Sequence, residues 1–250
     1  MSHLYLDESL DLAGASAGEL VRLTGDEARH AVTVSRVRVG EQLSVGNGRG
    51  SLAAATVVET APRELVLELG AVVTTPAPSP RITLVQALAK GDRDELAVQA
   101  ATELGVDAIV PWSASRSVSR WDGPKAEKGR ARWASIVREA TKQSIRPWMP
   151  EVAPLMATAG LARLLDGVRV LLLEPTATTP LTGIRTDGDG DGDARDLALV
   201  VGPEGGIAPA EIERLVAAGA ETVRLGDSVL RTSTAGPAAI AVLNARLGRW

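Results

Sequence analysis

Leu199-Val-Val-Gly-Pro-Glu-Gly-Gly206 carries the end of an unbroken apolar run, Leu197–Val201, straight into a loop of three glycines and a proline. An apolar run without polar alternation reads as a strand buried on both faces, the kind found in parallel sheets covered by helices. Ligands of such sheets bind beyond the carboxyl ends of the strands, where loops converge. A glycine-rich loop at that place lets a ligand approach the backbone and use its N–H groups. Taken alone, the same loop also reads as a tight strand-to-helix turn.

Working outward, the runs Ile82–Leu88, Val106–Val110, Val168–Leu173 and Thr222–Leu225 repeat the pattern, separated by stretches with helical spacing. This alternation predicts an α/β architecture with a largely parallel sheet. Asp92 and Glu95 have the spacing of a capping box, and Leu96, Ala100 and Leu104 recur at i, i+4, i+8 before Gly105; together they predict a helix with those residues on its buried face. Pro209 and Gly219 bracket a second helix in the same way. In Val223-Arg-Leu-Gly-Asp-Ser-Val-Leu-Arg-Thr-Ser-Thr-Ala235 a strand and a glycine turn lead to three hydroxyl residues ahead of an Ala-rich helix. Thr232, Ser233 or Thr234 would cap that helix. Three hydroxyls beside Arg231 exceed what a cap needs, and the excess points to a ligand.

The N-terminal part reads differently. Short β-rich runs at 19–23, 41–45, 52–58 and 64–69 are punctuated by Gly, Asn and Pro, which predicts a small β-barrel. Thr74-Thr-Pro-Ala-Pro-Ser-Pro80 places three prolines in five residues and can hold neither ladder nor helix. The expected organisation is a barrel over 1–75, a linker over 76–80 and a sheet domain over 81–250.

Several classes are disfavoured. There is no Cys, no charged-then-apolar leader and no apolar run of the ~20 residues that cross a bilayer, so a cytoplasmic protein is expected. No Gly-x-x-x-x-Gly-Lys-Ser/Thr occurs, and Gly46-Asn-Gly-Arg-Gly50 lacks dinucleotide spacing. There is no Gly-x-Ser-x-Gly elbow, and the two histidines, His3 and His30, lie in the β-rich part. In Thr186-Asp-Gly-Asp-Gly-Asp-Gly-Asp193, Asp187, Asp189, Asp191 and Gly192 match half a calcium loop, but the twelfth position is Ala198. The stretch is therefore expected to be an acidic loop, and no metal is expected.

The net charge is -4, yet nine basic residues against three acids lie between Trp112 and Trp148. Trp112, Trp121, Trp133 and Trp148 interleave with them, a mixture suited to unstacked bases and phosphates. Trp133 with Ile136, Val137 and Ala140 also forms a helical core stripe, the preferred reading for Trp133. The RNA-facing residues expected are Arg116, Arg120 and Arg146 here, and Arg22, Arg29, His30, Arg36 and Arg38 in the N-terminal part.

Taken in order, Gly202-Pro-Glu-Gly-Gly206, Leu225-Gly-x-x-x-Leu230-Arg-Thr-x-Thr-Ala235, Ala89-Lys-Gly-Asp92, Thr102-Glu-Leu-Gly-Val106, Arg116-Ser117 and Glu139-Ala-x-x-Gln-Ser144 with Arg146 resemble the RsmE family of 16S ribosomal RNA uracil-N3 methyltransferases, within the SPOUT superfamily. The resemblance spans nearly the whole chain. It implies a PUA-like barrel, a SPOUT α/β domain with a trefoil knot, and a homodimer acting on 16S rRNA of the 30S subunit. It also implies S-adenosylmethionine as cofactor, held by Leu173, Glu174, Val201, Gly202, Pro203, Glu204, Gly205, Gly206, Leu225, Gly226, Leu230, Arg231, Thr232, Thr234 and Ala235. Arg231 and Arg116 become candidates for stabilising developing negative charge, and Glu139 for the base, against an exposed helix pair of Glu139 with Lys142. Position 233 departs from the family's pattern, being Ser where Glu is common. Rival readings are a SPOUT enzyme acting on another base or a ribose hydroxyl, a non-catalytic RNA clamp, and a nicotinamide oxidoreductase.

Overall fold

A computed structural model of the chain describes residues 4–164, 167–186 and 195–250. His3 and the Asp/Gly stretch at 187–193 lie outside the described residues, and the calcium-loop reading with them. The chain divides into two compact units, Met1–Ala77 with Thr141–Met149, and Pro78–Ala140 with Pro150–Trp250.

The first unit is built on a mixed five-stranded sheet in the order β1-β3-β4-β5-β2. Strands β2 (Leu20–Thr24), β3 (Gln42–Gly46), β4 (Ser51–Ala61) and β5 (Glu64–Thr74) pair antiparallel, and β1 (Leu4–Leu6) runs parallel to β3. In β4 every second residue from Ser51 to Val57 is buried, as a strand with one face on a core requires. Leu23, Val45, Leu65 and Leu67 form that core with Ala28 and Ala31, from helix α1 (Gly25–Arg29) and the π-turn His30–Val34. Strand β5 ends at Thr74, ahead of the first proline of the linker.

Residues 141–149 return to this unit. Lys142 Nζ meets Glu27 at 3.0 Å, the Gly50 N–H donates to the Pro147 carbonyl at 2.8 Å, and Trp148 Nε1 donates to the Thr75 carbonyl at 2.9 Å. Gly50 has φ +100°, and a Cβ there would come within 2.8 Å of the Trp148 ring and 2.7 Å of the Thr75 carbonyl. Only glycine suits both the backbone angle and the close approach.

The second unit holds a parallel sheet in the order β12-β10-β11-β6-β7-β8, with β9 (Met156–Ala157) also pairing β7. Its strands are β6 (Ile82–Ala87), β7 (Ala108–Ser113), β8 (Glu151–Val152), β10 (Arg169–Leu173), β11 (Leu197–Val201) and β12 (Glu221–Val223). Every residue of β11 is buried, Ala198 included, as its unbroken apolar run requires. Around the sheet lie α2 (Arg93–Glu103), α4 (Thr158–Leu164), α5 (Pro209–Ala217), α6 (Thr232–Arg246) and α3 (Pro124–Gln143), whose last residues belong to the first unit. A Cβ at Gly236 would lie 3.1 Å from Leu84 and 3.5 Å from Val201, so α6 seats closely on β6 and β11.

Four expectations are corrected. Asp92 precedes α2 with φ 61° and makes no side-chain cap; Asp94 binds the Ala89 N–H at 2.9 Å instead. The buried face of α2 is Asp94, Ala97, Val98, Ala101 and Thr102, whereas Leu96 is 57% exposed. Small residues fill that face because α2 packs on α6, where bulk would hold the helices apart. Trp112 is buried and takes no part in a base-stacking surface; Trp133 is buried with Val137 and Ala140, as its core stripe predicts, and Trp121 packs edge-on against it at 5.1 Å. The cap position of α6 is Arg231, with Thr232 as the first helical residue and its hydroxyl turned to other partners.

Candidate active site

The carboxyl ends of β10, β11 and β12 converge on a cavity of about 370 Å³ in the second unit. It is lined by Leu173, Glu174 and Pro175 after β10, by Val201–Glu204, Gly206 and Ile207 after β11, and by Val223–Gly226 and Ser228–Thr232 after β12, with Ala235 and Arg93. Of the fifteen residues expected to hold a cofactor, all line it except Gly205 and Thr234. Gly205 lies just outside, its carbonyl accepting from Arg116 Nη1 at 3.2 Å, and Thr234 is exposed on α6.

Two loops that are distant in sequence are tied beneath this cavity. The Thr232 hydroxyl donates to the Gly202 carbonyl at 2.8 Å and accepts from Gln86 Nε2 at 2.9 Å. Gln86 is fully buried at the end of β6. A buried amide that has found a hydroxyl, and a hydroxyl that has found a carbonyl, satisfy each other where water is excluded. The glycine loop is thereby fixed to both the central strand and the last helix.

Charge in the cavity is mostly paired. Arg93 Nη1 meets Glu204 Oε1 at 3.0 Å, and the same oxygen accepts the Lys90 N–H at 3.0 Å. Burial works to raise the Glu204 pKa, but its own backbone amide, that of Lys90 and the Arg93 guanidinium outweigh it and hold the carboxyl below the usual range. Arg224 pairs with Asp227 at 2.7 Å. Arg231 is exposed, and among the described residues no carboxylate pairs with it. A cation with no carboxylate beside it at a cavity wall is placed to meet negative charge arriving from outside.

The remaining expected residues are spread out. Glu139 is exposed on α3 and does not line the cavity, and Lys142 meets Glu27. Arg116 and Arg120 are exposed in the stretch after β7. Arg22, Arg29, His30, Arg36, Arg38 and Arg146 all belong to the first unit. Arg22 pairs with Glu64 and Arg29 with Asp26, while His30, Arg36 and Arg38 are exposed on and after the π-turn and Arg146 is half-buried. Among the described residues no cluster of His, Cys, Asp and Glu suits a metal ion, and no helix is long and apolar enough to cross a membrane.

Sequence reasoning missed Arg93, Pro175, Ile207, Val223, Arg224, Ser228 and Val229 as lining residues. Arg93 directly follows Ala89-Lys-Gly-Asp92, and Val223, Arg224, Ser228 and Val229 lie inside the second glycine-turn segment, so adjacency to those motifs was the available signal.

Apolar walls, glycine backbone and a few placed charges in this volume suit a nucleoside-sized ligand, and a parallel sheet carrying such loops is the catalytic core of an RNA methyltransferase of the SPOUT class. The family model for an RNA methyltransferase domain matches residues 75–244, and that for an RNA methyltransferase PUA domain matches residues 23–70. The chain is 42% identical over 238 residues to ribosomal RNA small subunit methyltransferase E of Mycobacterium bovis, covering 93% of this chain and 89% of the relative. It is 31% identical over 217 residues to the protein of the same name from Bacillus subtilis, covering 85% of each. The crystal structure of ribosomal RNA small subunit methyltransferase E from Neisseria gonorrhoeae bound to S-adenosyl methionine superposes with a TM-score of 0.85 at 30% identity, covering 98% of each chain. The chain belongs to the ribosomal RNA small subunit methyltransferase E family.

Proposed function

We propose that this protein methylates N3 of a uridine in 16S rRNA of the small ribosomal subunit, with Arg231 as the residue that stabilises the anionic base. Dependence on S-adenosylmethionine and action on 16S rRNA accord with the family. The choice of atom, and the roles of individual residues, are the proposal. The observation that carries it is Arg231, the cavity-lining arginine with which no carboxylate pairs among the described residues, set at the cap position of α6.

The cavity fits the cofactor on its own evidence, since its volume and its apolar-plus-glycine lining match a ligand of that class. Leu173, Val201, Leu225 and Leu230 would pack against it, and the 202–206 and 225–226 backbone would hydrogen-bond it. When bound, S-adenosylmethionine supplies an electrophilic methyl group. The protein's part is to hold the uracil in line, and such positioning contributes about 7–11 kcal/mol of barrier lowering. As the N3 proton leaves, charge develops on the flanking oxygens, and a guanidinium aimed there stabilises it. Arg116 is the second cation proposed for this role. Glu139 serves as base in this reading only where bound RNA brings the target toward α3.

We also propose that the first unit binds RNA through Arg22, Arg29, His30, Arg36, Arg38 and Arg146, with Arg116 and Arg120 contributing from the second. The trefoil threading is proposed for the second unit. It is supported by the path of the chain from β12 at the sheet edge to α6, whose Thr232 reaches the central strand, and by Arg246 of α6 donating to the Ile184 carbonyl. A homodimer is proposed because Val229, 78% exposed, and Leu230 present apolar surface at the cavity rim. The cytoplasm is the proposed location, where the ribosomal substrate is assembled.

The test is transfer of labelled methyl to 30S subunits lacking the modification, followed by nucleoside analysis. Recovery of 3-methyluridine is expected. Another methylated nucleoside would overturn the choice of atom and leave the class intact.

A further inference from the structure

Glu211 lies in the first turn of α5, 8% exposed, and does not line the cavity. Its carboxylate nevertheless collects four donors from three separate segments. Oε1 accepts from the Ser115 N–H at 3.0 Å and the Thr158 hydroxyl at 2.7 Å. Oε2 accepts from the Ser115 hydroxyl at 2.8 Å and the Ala208 N–H at 3.4 Å. Thr158 in turn accepts from the buried Trp112 indole at 3.2 Å. Capping α5 requires only the Ala208 contact; the two bonds to Ser115 serve something else.

Ser115 immediately precedes Arg116. Arg116 rests on the glycine loop, where a Cβ at Gly205 would lie 3.4 Å from both its Cβ and its carbonyl oxygen, and its guanidinium donates to the Gly205 carbonyl at 3.2 Å. The Arg116 side chain is exposed and long, so that single exposed contact leaves it much freedom. Its backbone is fixed one residue earlier, by a buried anion that itself sits on the helix leaving the same glycine loop. We propose that Glu211 is a positioning residue for methyl transfer, which locks the Ser115–Arg116 backbone against the glycine loop and so sets where the Arg116 guanidinium meets the RNA.

This inference rests on the proposed role of Arg116, and one experiment separates the two. Single-turnover methyl transfer to 30S subunits lacking the modification is measured at saturating S-adenosylmethionine for wild type, Glu211→Gln, Arg116→Ala and the double variant, with cofactor affinity by calorimetry. Gln keeps the shape but replaces an acceptor oxygen with a donor, so it faces donors with a donor. Glu211→Gln is expected to slow transfer about tenfold with cofactor affinity within about threefold of wild type, and to add little to Arg116→Ala, since residues acting as one unit are non-additive. Effects that multiply, or a Glu211→Gln rate equal to wild type, would overturn the positioning role while leaving Arg116 in place. A full rate for Arg116→Ala would remove both roles, with methylation by the wild type still standing. Should Glu211→Gln not fold, Ser115→Ala removes one of the two Ser115 bonds alone; a smaller slowing, absent in the Arg116→Ala background, supports the inference, and no slowing overturns it.

Discussion

The Gln86 amide donates to the Thr232 hydroxyl at 2.9 Å, joining the central strand β6 to the first turn of the last helix across 146 positions of sequence. Because Thr232 also holds the Gly202 carbonyl at 2.8 Å, one hydroxyl fixes two walls of the cavity. Thr232→Val keeps the side-chain shape and leaves both the amide and the carbonyl without that partner. The expected outcome is a loss of about 1–3 kcal/mol in stability, read by denaturant unfolding, together with weaker cofactor binding by calorimetry. Unchanged cofactor affinity would show that the two loops do not depend on this clasp.

Arg231→Ala removes the cavity-wall cation with which no carboxylate pairs among the described residues. If it meets charge that develops during the reaction, the transfer rate falls by roughly 10²–10³ while cofactor affinity changes little. Single-turnover rates and equilibrium binding, taken together, check this. A loss confined to binding would reassign Arg231 to holding the cofactor.

Gly50→Ala forces a side chain into a φ +100° turn already occupied by Trp148 and the Thr75 carbonyl. Strain of this kind costs on the order of 1–3 kcal/mol. The unfolding midpoint is expected to drop, with cofactor affinity retained, because the cavity is lined by residues of the second unit alone.

Stability of the second unit is expected to fall with acid in a defined sense. Hydrogen bonds from Thr158 and Ser115 overcome the burial that would raise the Glu211 pKa, and hold its carboxyl, like that of Glu204, below the usual range. A group with a depressed folded pKa adds stability that is complete above its unfolded value and is lost as pH falls through the folded one. Asp94, which burial holds above the usual range, contributes with the opposite sign. Unfolding midpoints from about pH 6 to about pH 3 should therefore decline, less steeply in Glu211→Gln than in wild type. An identical slope would mean that Glu211 is not among the groups responsible.

Glu139→Gln tests the base. Exposed on α3 and outside the cavity lining, Glu139 acts on the target only through bound RNA, so its removal should lower the rate with RNA and leave cofactor affinity untouched. General-base loss amounts to about 10²–10⁴ in rate; a change of a few-fold would leave the proton to solvent.

Five strands of the parallel sheet, β6, β7, β10, β11 and β12, were legible from their apolar runs, and Leu197–Val201 coincides with β11 to the residue, whereas the two-residue β8 and β9 are too short to show a run. Both glycine loops were legible because glycine alone suits their backbone: a Cβ at Gly202 would meet Ile207 at 2.6 Å, and Gly226 has φ +147°. Local pattern misled where tertiary contact decides. Asp92 has the composition of a cap, but its φ of 61° places it in a turn, and Asp94 instead accepts from the Ala89 and Glu95 amides. Leu96 has helical spacing with Ala100 and Leu104, yet α2 turns its small side chains to α6. Thr232 has the chemistry of a cap and is used as a clasp. β1, three residues long and parallel to β3, shows no period that sequence could reveal. Arg93 and Glu204, 111 positions apart, meet only once the sheet has formed.

The return of residues 141–149 separates the order of synthesis from the order of completion. N-terminal units generally fold first as a chain is translated. Here the turn at Gly50 closes on Pro147 and Trp148, so β6, β7 and nearly all of α3 must leave the ribosome before the unit that precedes them has all its parts. Until then the Gly50 amide and the Thr75 carbonyl bond to water, and Glu27 lacks its lysine. The two units are therefore not cassettes that can be exchanged by cutting at the prolines: a graft of residues 1–77 alone would leave behind the piece of chain that closes it.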